Sequence, residues 1–533
     1  MVTQLALPSP GSLGIDGFTD YYPFQQEAVM AILDATTPVT AISMPTGGGK
    51  SLVAVIAAVL SGKKVAILTA SKGLQSQYVE TFKSLGLVDV RGQASHACLI
   101  EPVPVSEARC QTGYHCPRRI ECPYFAAIDA ARDAAITVTN YAMWATMLDR
   151  GEGLGPVDML ICDEADTIFD SLSSIMAASF SRAEMRRLLR IDLPERDCTP
   201  DQLRRWSAQA VGAFAQQMAD ARRALDQAGE TPPHALRVRF REMKALSAHI
   251  ERLQQALADP DSWVPEWEYG RFTVYPIWPM DFVDRWLYRY REAANAPTVP
   301  VPQVVLLSAT LPRFSAEGLA GERPLTYHEY PSRVPISSRK VVHIPTVDMR
   351  RSTANVPIWL GRIDQLLDQR LDRKGIIHTT SYARRDQVVA GSKFAGFGLL
   401  HSHGSHDIEQ AVGEFKGALA PTVLVSPSLT RGYDFPGEAC RYVIIGKVPW
   451  PAPSALVKAR TERFPDYQTF VAMQVLQQEA GRAVRYVGDW SEILIIDDAW
   501  RWFWPLARKY AATWFAEAVS GSVEIYNLSV PNL

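Results

Sequence analysis

Short apolar runs alternate with amphipathic stretches along most of this 533-residue chain. Residues 38–45 read as a short strand ending in a glycine-rich turn, and residues 51–61 as the helix that follows. Val65–Thr69, Ile136–Thr139, Met159–Cys162 and Val304–Leu307 are further apolar strands. A second series comprises Gly375–His378, Thr422–Ser426, Tyr442–Ile445 and Ile493–Ile496. Strands alternating with helices predict an α/β protein whose parallel sheets are covered on both faces. Two stretches break this rhythm. Residues 92–133 are loop-like and rich in cysteine. Residues 171–270 carry apolar positions at helical spacing, from Leu203, Trp206 and Ala210 to Leu225, then from Leu236, Phe240 and Met243 to Leu257. The turn-forming stretch Gly229 to His234 separates them, which predicts an antiparallel helical hairpin. Residues 331–355, rich in Pro, Ser and Arg, read as a linker.

The expected division is therefore a first lobe of residues 1–91, 134–170 and 271–335, a cysteine segment at 92–133, a helical insert at 171–270 and a second lobe at 336–533. Hydrophobic residues make up 47% and charged residues 21%, enough apolar material for several cores. The net charge of −2 excludes a generally basic coat, so any nucleic-acid contact must rest on local basic and aromatic patches. The longest apolar run, Leu52 to Leu60, is too short to span a bilayer, and the first residues lack a signal-peptide pattern. No membrane contact and a cytoplasmic location are expected. Seven cysteines, an odd number, argue against a disulfide framework in such a protein.

Three motifs carry chemistry. Residues 44–51, MPTGGGKS, lie between a strand and a helix. Thr46, Gly47, Gly48 and Gly49 let backbone N–H groups close around phosphates, Lys50 reaches the β- and γ-phosphates, and Ser51 holds Mg²⁺. The strict pattern has glycine where this chain has Met44. Just upstream, Tyr22 can stack on adenine and Gln25 can read its edge. Residues 159–166, MLICDEAD, form an apolar strand ending in acids. Asp163 is the expected Mg²⁺ residue, and Glu164 the group that orients and deprotonates the attacking water. Residues 478–485, QEAGRAVR, place Arg482 and Arg485 one turn apart on a predicted helix, where two guanidiniums could stabilise a transferring phosphoryl group. Because these lie beyond the linker from Lys50, nucleotide is expected between the lobes.

Together these motifs resemble superfamily 2 helicases, and further segments fall in that family's order. Ser71, Lys72 and Gln75 lie in a stretch resembling motif Ia, and Ser308-Ala309-Thr310 resembles motif III. Thr380, Ser381 and Tyr382 lie in one resembling motif IV, and Arg431 to Phe435 resembles motif V. The resemblance implies two RecA-like P-loop lobes, DNA contacts at Ser71, Lys72, Gln75, Thr380, Ser381, Tyr382 and Arg431, and nucleotide contacts at Asp434 and Gln478. Four cysteines between the phosphate loop and the acidic motif, and Cys122-Pro123-Tyr124-Phe125 followed by Thr137-Val138-Thr139-Asn140-Tyr141, match the XPD/DinG group. The helical insert matches that group's Arch position. The chain departs at Asp166, where the group usually has His, and in its compact insert.

Cys98, Cys110, Cys116 and Cys122 could hold either tetrahedral zinc or a [4Fe–4S] cluster, judged by residue chemistry alone. The resemblance implies the iron–sulfur cluster. Tyr114, Tyr124, Phe125, Arg118 and Arg119 are candidates for a stacking platform beside it. The expected activity is ATP- and Mg²⁺-dependent translocation on single-stranded DNA, 5′ to 3′ by resemblance, with unwinding of forked or tailed duplexes. The alternative is a nucleic-acid-stimulated ATPase switch that remodels without unwinding. A nuclease would need an additional acidic metal site, for which the sequence offers no convincing candidate.

Overall fold

A computed structural model describes residues 7–150, 153–229, 232–291, 298–350, 353–404, 407–427, 429 and 433–520. Ten strands of the first lobe and its insert come first in the chain. They are β1 (Val39–Ser43), β2 (Val65–Thr69), β3 (Val88–Asp89), β4 (Ile136–Asn140) and β5 (Met159–Asp163), then β6 (Ala178–Ser181), β7 (Trp263–Glu268), β8 (Arg271–Pro276), β9 (Arg289–Arg291) and β10 (Thr298–Pro300). β11 (Gln303–Ser308) and β12 (Leu325–Glu329) complete the first lobe, whose seven-stranded sheet runs β12-β1-β11-β5-β2-β4-β3. All its pairings are parallel. β9 and β10 form a small antiparallel ribbon.

The second lobe holds β13 (Val341–Val347), β14 (Gly375–His378), β15 (Leu400–Ser402), β16 (Val423–Ser426), β17 (Tyr442–Ile445) and β18 (Glu492–Asp497), ordered β13-β18-β17-β14-β16-β15. These are also all parallel. Continuous apolar strands suit sheets buried on both faces. On β5, Leu160 and Cys162 face one core while Met159 and Ile161 face the other. On β17, Val443 and Ile445 are split from Tyr442 and Ile444 in the same way. The period-two alternation of a strand thus supplies both cores.

Two expectations change. The insert is not wholly helical. Its hairpin, Pro200–Ala228 and His234–Ala258, stands on an antiparallel sheet ordered β6-β8-β7. The strand segments are short and contain Phe272, which packs with Phe180, Trp206 and Trp267, and Trp263, which packs with Phe282, rather than displaying a clean polar face. The stretch read as a linker also contributes β13, an edge strand paired with β18, because Val341, Val342 and Ile344 bury their side chains in the second lobe. Among the described residues no helix is long and apolar enough to cross a membrane.

Candidate functional site

Parallel strands deliver their C-terminal ends, and the loops after them, to one edge of each sheet. In the first lobe β1 runs into the phosphate loop and β5 into the acidic motif, with β11 between them. Gly47 and Gly49 take positive φ values of 77° and 78°, which favours glycine. A Cβ on Gly47 would come within 2.5 Å of the Arg485 carbonyl oxygen, so the second lobe's arginine turn touches this loop directly. Met44, the departure from the strict pattern, places its side chain where a Cβ on Gly48 would clash at 2.5 Å. Gln25 closes the loop from behind, donating to the Gly48 carbonyl at 3.0 Å and accepting from the Tyr22 N–H at 2.8 Å.

The resulting cleft has a volume of about 410 Å³, within the roughly 300–1,000 Å³ usual for small-molecule sites. Lys50, Ser51, Asp163 and Glu164 line it from the first lobe, and Asp434, Gln478, Arg482 and Arg485 from the second. Tyr22, Thr46, Gly47, Gly49 and Ser71 also border it. Lysine and guanidiniums more than four hundred residues apart therefore face one space.

Asp163 is buried at the end of β5. The Tyr78 hydroxyl donates to its Oδ2 at 2.7 Å and the Glu164 N–H to its Oδ1 at 2.9 Å. Burial raises its pKa, while Lys50 and these hydrogen bonds pull it down. Burial pushes the Glu164 carboxyl up to about 7, opposed by Lys50 and Arg482 and reinforced by Asp166 and Asp163. Glu164 also adopts φ of 53°, a strained region for a residue with a side chain, of the kind concentrated at functional positions.

Asp166 joins three segments. Its Oδ1 accepts from the Ser308 hydroxyl and its Oδ2 from the Gln478 amide, both at 2.6 Å. The carboxylate suits two donors facing it from opposite lobes. The two arginines do not lie on a helix as expected. The helix Tyr467–Ala480 ends at Gly481, and Arg482 and Arg485 occupy the turn beyond it. Gly481 is held close to Thr46, where a Cβ would meet Oγ1 at 3.1 Å, and the turn aims both guanidiniums at the cleft. Arg485 forms an ion pair with Asp434.

The family model of the DEAD/DEAH box helicases matches residues 22–195, and that of the helicase C-terminal domain matches residues 366–517. Together they span more than half of the chain. Among solved structures, one titled XPD helicase aligns with a TM-score of 0.59 at 14% identity, over 91% of this chain and 97% of that one. The S. tokodaii Xpd4 structure aligns at 0.57 and 13% identity, over 91% and 97%. The chain is a helicase, with a DEAD/DEAH box domain followed by a helicase C-terminal domain. It is an ATP-hydrolysing enzyme with two α/β lobes of the RecA-like kind. No curated protein matches its sequence significantly.

The remaining candidates of this helicase divide clearly. Ser71 caps the helix Lys72–Thr81, accepting from the Leu74 N–H, and Lys72 beside it is exposed. Ser381 caps the helix Tyr382–Gly391, Thr380 before it has φ of 63°, and Tyr382 is 38% exposed. Gln75 is not on the surface. It is fully buried, its amide donating to the Val90 carbonyl at 2.9 Å and accepting from Asn140 at 2.9 Å, so it is committed to the fold. Gln25 likewise has its amide committed to the phosphate loop. Arg431 lies outside the described residues.

Sequence reasoning missed Tyr78 and Arg333. The Arg333 guanidinium lies 3.5 Å from the centre of the Tyr22 ring, Nε donates to the Gly47 carbonyl at 2.8 Å, and Nη2 donates to the Arg485 carbonyl at 3.2 Å. An isolated arginine in a Pro/Ser-rich stretch carries no pattern that would single it out.

In the cysteine segment, Cys98, Cys110, Cys116 and Cys122 all line one small cavity with Leu99, Ile100 and Phe125. The Ile100 N–H points at Cys98 Sγ at 3.4 Å and the Gln111 amide at Cys110 Sγ at 3.7 Å. Burial pushes the Cys110 thiol up, and the three other cysteines add to the rise. Among the described residues no three His, Cys, Asp or Glu side chains converge tightly enough for a single ion. Four thiols lining one cavity are donors that either a zinc ion or an iron–sulfur cluster takes. Tyr124 is buried at 1% exposure and cannot serve as a surface stacking platform, whereas Ile120, beside Arg118 and Arg119, is 93% exposed.

Proposed function

We propose that this helicase moves along single-stranded DNA, 5′ to 3′, and opens forked or tailed duplexes. The observation that carries the reading is the shared cleft, in which Lys50 of one lobe and Arg482 and Arg485 of the other face the same space. A nucleotide bound there bridges the lobes, and loss of its γ-phosphate removes the charge that holds the guanidiniums against the phosphate loop. Lys50 binds phosphate, Ser51 and Asp163 would hold Mg²⁺, Glu164 orients and deprotonates the attacking water, and the two arginines balance developing charge. Mg²⁺ would supply charge neutralisation of the phosphates. Tyr22 stacks on the base, and Asp434 and Gln478 complete the pocket.

Ser71, Lys72, Thr380, Ser381 and Tyr382 would touch the strand, in contacts that tolerate any sequence and weaken with salt. The proposed division keeps the cysteine segment at 92–133 and the Arch-like insert at 171–270, with lobe two from residue 336. Cys98, Cys110, Cys116 and Cys122 would hold a [4Fe–4S] cluster whose role is structural, stiffening a loop-rich wedge that carries Ile120, Arg118 and Arg119. Parting one base-pair step costs about 1.4 kcal/mol of stacking. Stacking one base on an aromatic ring returns about 1–3 kcal/mol. A rigid wedge with a strand held beside it operates on that scale.

The test is strand displacement from duplexes tailed at the 5′ or the 3′ end, with ATP turnover measured on the same samples. Displacement only with a 5′ tail is expected. Turnover stimulated by single strands without displacement of either duplex would favour the remodelling switch instead.

A further inference from the structure

Behind the cleft, the second lobe buries a polar group that the motor reading leaves unused. His378 ends β14, and Glu479 follows Gln478 in the helix Tyr467–Ala480. They are 0% and 2% exposed, with His378 Nδ1 3.5 Å from Glu479 Oε1. Both imidazole nitrogens and Glu479 Oε2 lack a hydrogen-bond partner. A charged carboxylate in such a place is costly. Burial, the larger cause, pushes the Glu479 carboxyl up to about 8 and the imidazole down to about 3. Arg482, the charged group that bears on both, lowers each. At neutral pH a neutral acid therefore faces a neutral imidazole.

The location gives this pair a consequence. Glu479 lies three positions before Arg482, whose N–H reaches the Glu479 carbonyl at 3.4 Å, and the Arg482 charge bears on both members of the pair. Arg482 Nη1 donates to the Tyr433 carbonyl at 3.0 Å, and its side chain borders the cleft, whose other charged lining residues are Lys50, Asp163, Glu164, Arg333, Asp434 and Arg485. A carboxylate formed at Glu479 would compete with the nucleotide for the same guanidinium.

We propose that Glu479 is a positioning residue for Arg482: as an uncharged acid held against His378 it leaves the guanidinium directed into the cleft, and on ionising it draws that guanidinium back. This deepens the motor reading and rests on it. The experiment measures single-strand-stimulated ATP turnover of the full chain from about pH 6 to about pH 10 for wild type, Glu479→Gln and Glu479→Ala, with melting temperatures alongside. For wild type, kcat is expected to fall above about pH 8, approaching tenfold per pH unit, with the KM for ATP little changed. Glu479→Gln, a permanently neutral isostere, keeps its neutral-pH kcat within about twofold and loses the falling limb. Glu479→Ala, which removes the carboxyl that faces His378, lowers kcat more than it alters KM. A falling limb that survives in Glu479→Gln, or a flat wild-type profile through pH 10, overturns the proposal. Absence of any ATP turnover in wild type would instead remove the motor reading itself.

Discussion

The nucleotide half of the first lobe and its cysteine segment are built on opposite principles. Lys50, Asp163 and Ser308 sit at or just beyond the ends of adjacent parallel strands, and hydrogen bonds from Tyr78, Glu164 and Gln478 hold the acids in place. The cysteine segment has one isolated bridge, Ala97 to Pro104, a few single turns and the helix Pro123–Asp133. One link to the insert is Glu101, which accepts from Arg237 at 3.0 Å and, within the segment, pairs with Arg109 at 3.0 Å. Burial raises that carboxyl's pKa, yet the Arg109 N–H and Arg237 outweigh it and hold the group below its usual range. A site on strand ends is organised before its ligand arrives, whereas four thiols on loops would be drawn into a domain by the cluster proposed for them.

Breaking either half should show this difference. The largest effect is expected for Cys116→Ser, which removes one donor: visible absorption and bound iron are lost and unwinding disappears, while ATP turnover survives in part. Absorption spectra, metal analysis and displacement assays on one preparation check this. A colourless wild type with stoichiometric zinc would contradict the iron assignment. Lys50→Ala comes next, with ATP turnover falling by about 10²–10³ while the melting temperature and single-strand affinity stay near wild type. Turnover that persists would remove this lysine from the chemistry. The smallest is Tyr78→Phe, which takes one hydroxyl from Asp163 and is expected to weaken Mg²⁺ by about tenfold, read as the half-saturating Mg²⁺ for turnover. An unchanged Mg²⁺ requirement would leave Tyr78 a packing residue.

The sequence was most informative where backbone periodicity governs. The strands 65–69, 375–378 and 442–445 begin and end where their apolar runs do, because a strand buried on both faces has no other pattern. The phosphate loop and the acids were legible because their chemistry needs fixed spacings. Gln75 and Tyr124 were misplaced because amide and phenol groups serve equally inside and outside a protein, and only the fold decides which. The arginine turn was misread as helix because Arg482 and Arg485 keep helical spacing in the sequence although the helix stops at Ala480. The antiparallel sheet under the hairpin went unseen because tryptophans and prolines mask its alternation. Tyr78, one buried hydroxyl on an amphipathic helix, offered no signal.

Arg333 has an implication for the choice of fuel. The ring meant to receive a base already has a cation across one face, and that cation is anchored at both lobes. A purine that displaces the guanidinium gains stacking that is offset by the cation–ring contact given up. Affinity then comes chiefly from the triphosphate tail, and other nucleoside triphosphates should power the enzyme nearly as well as ATP.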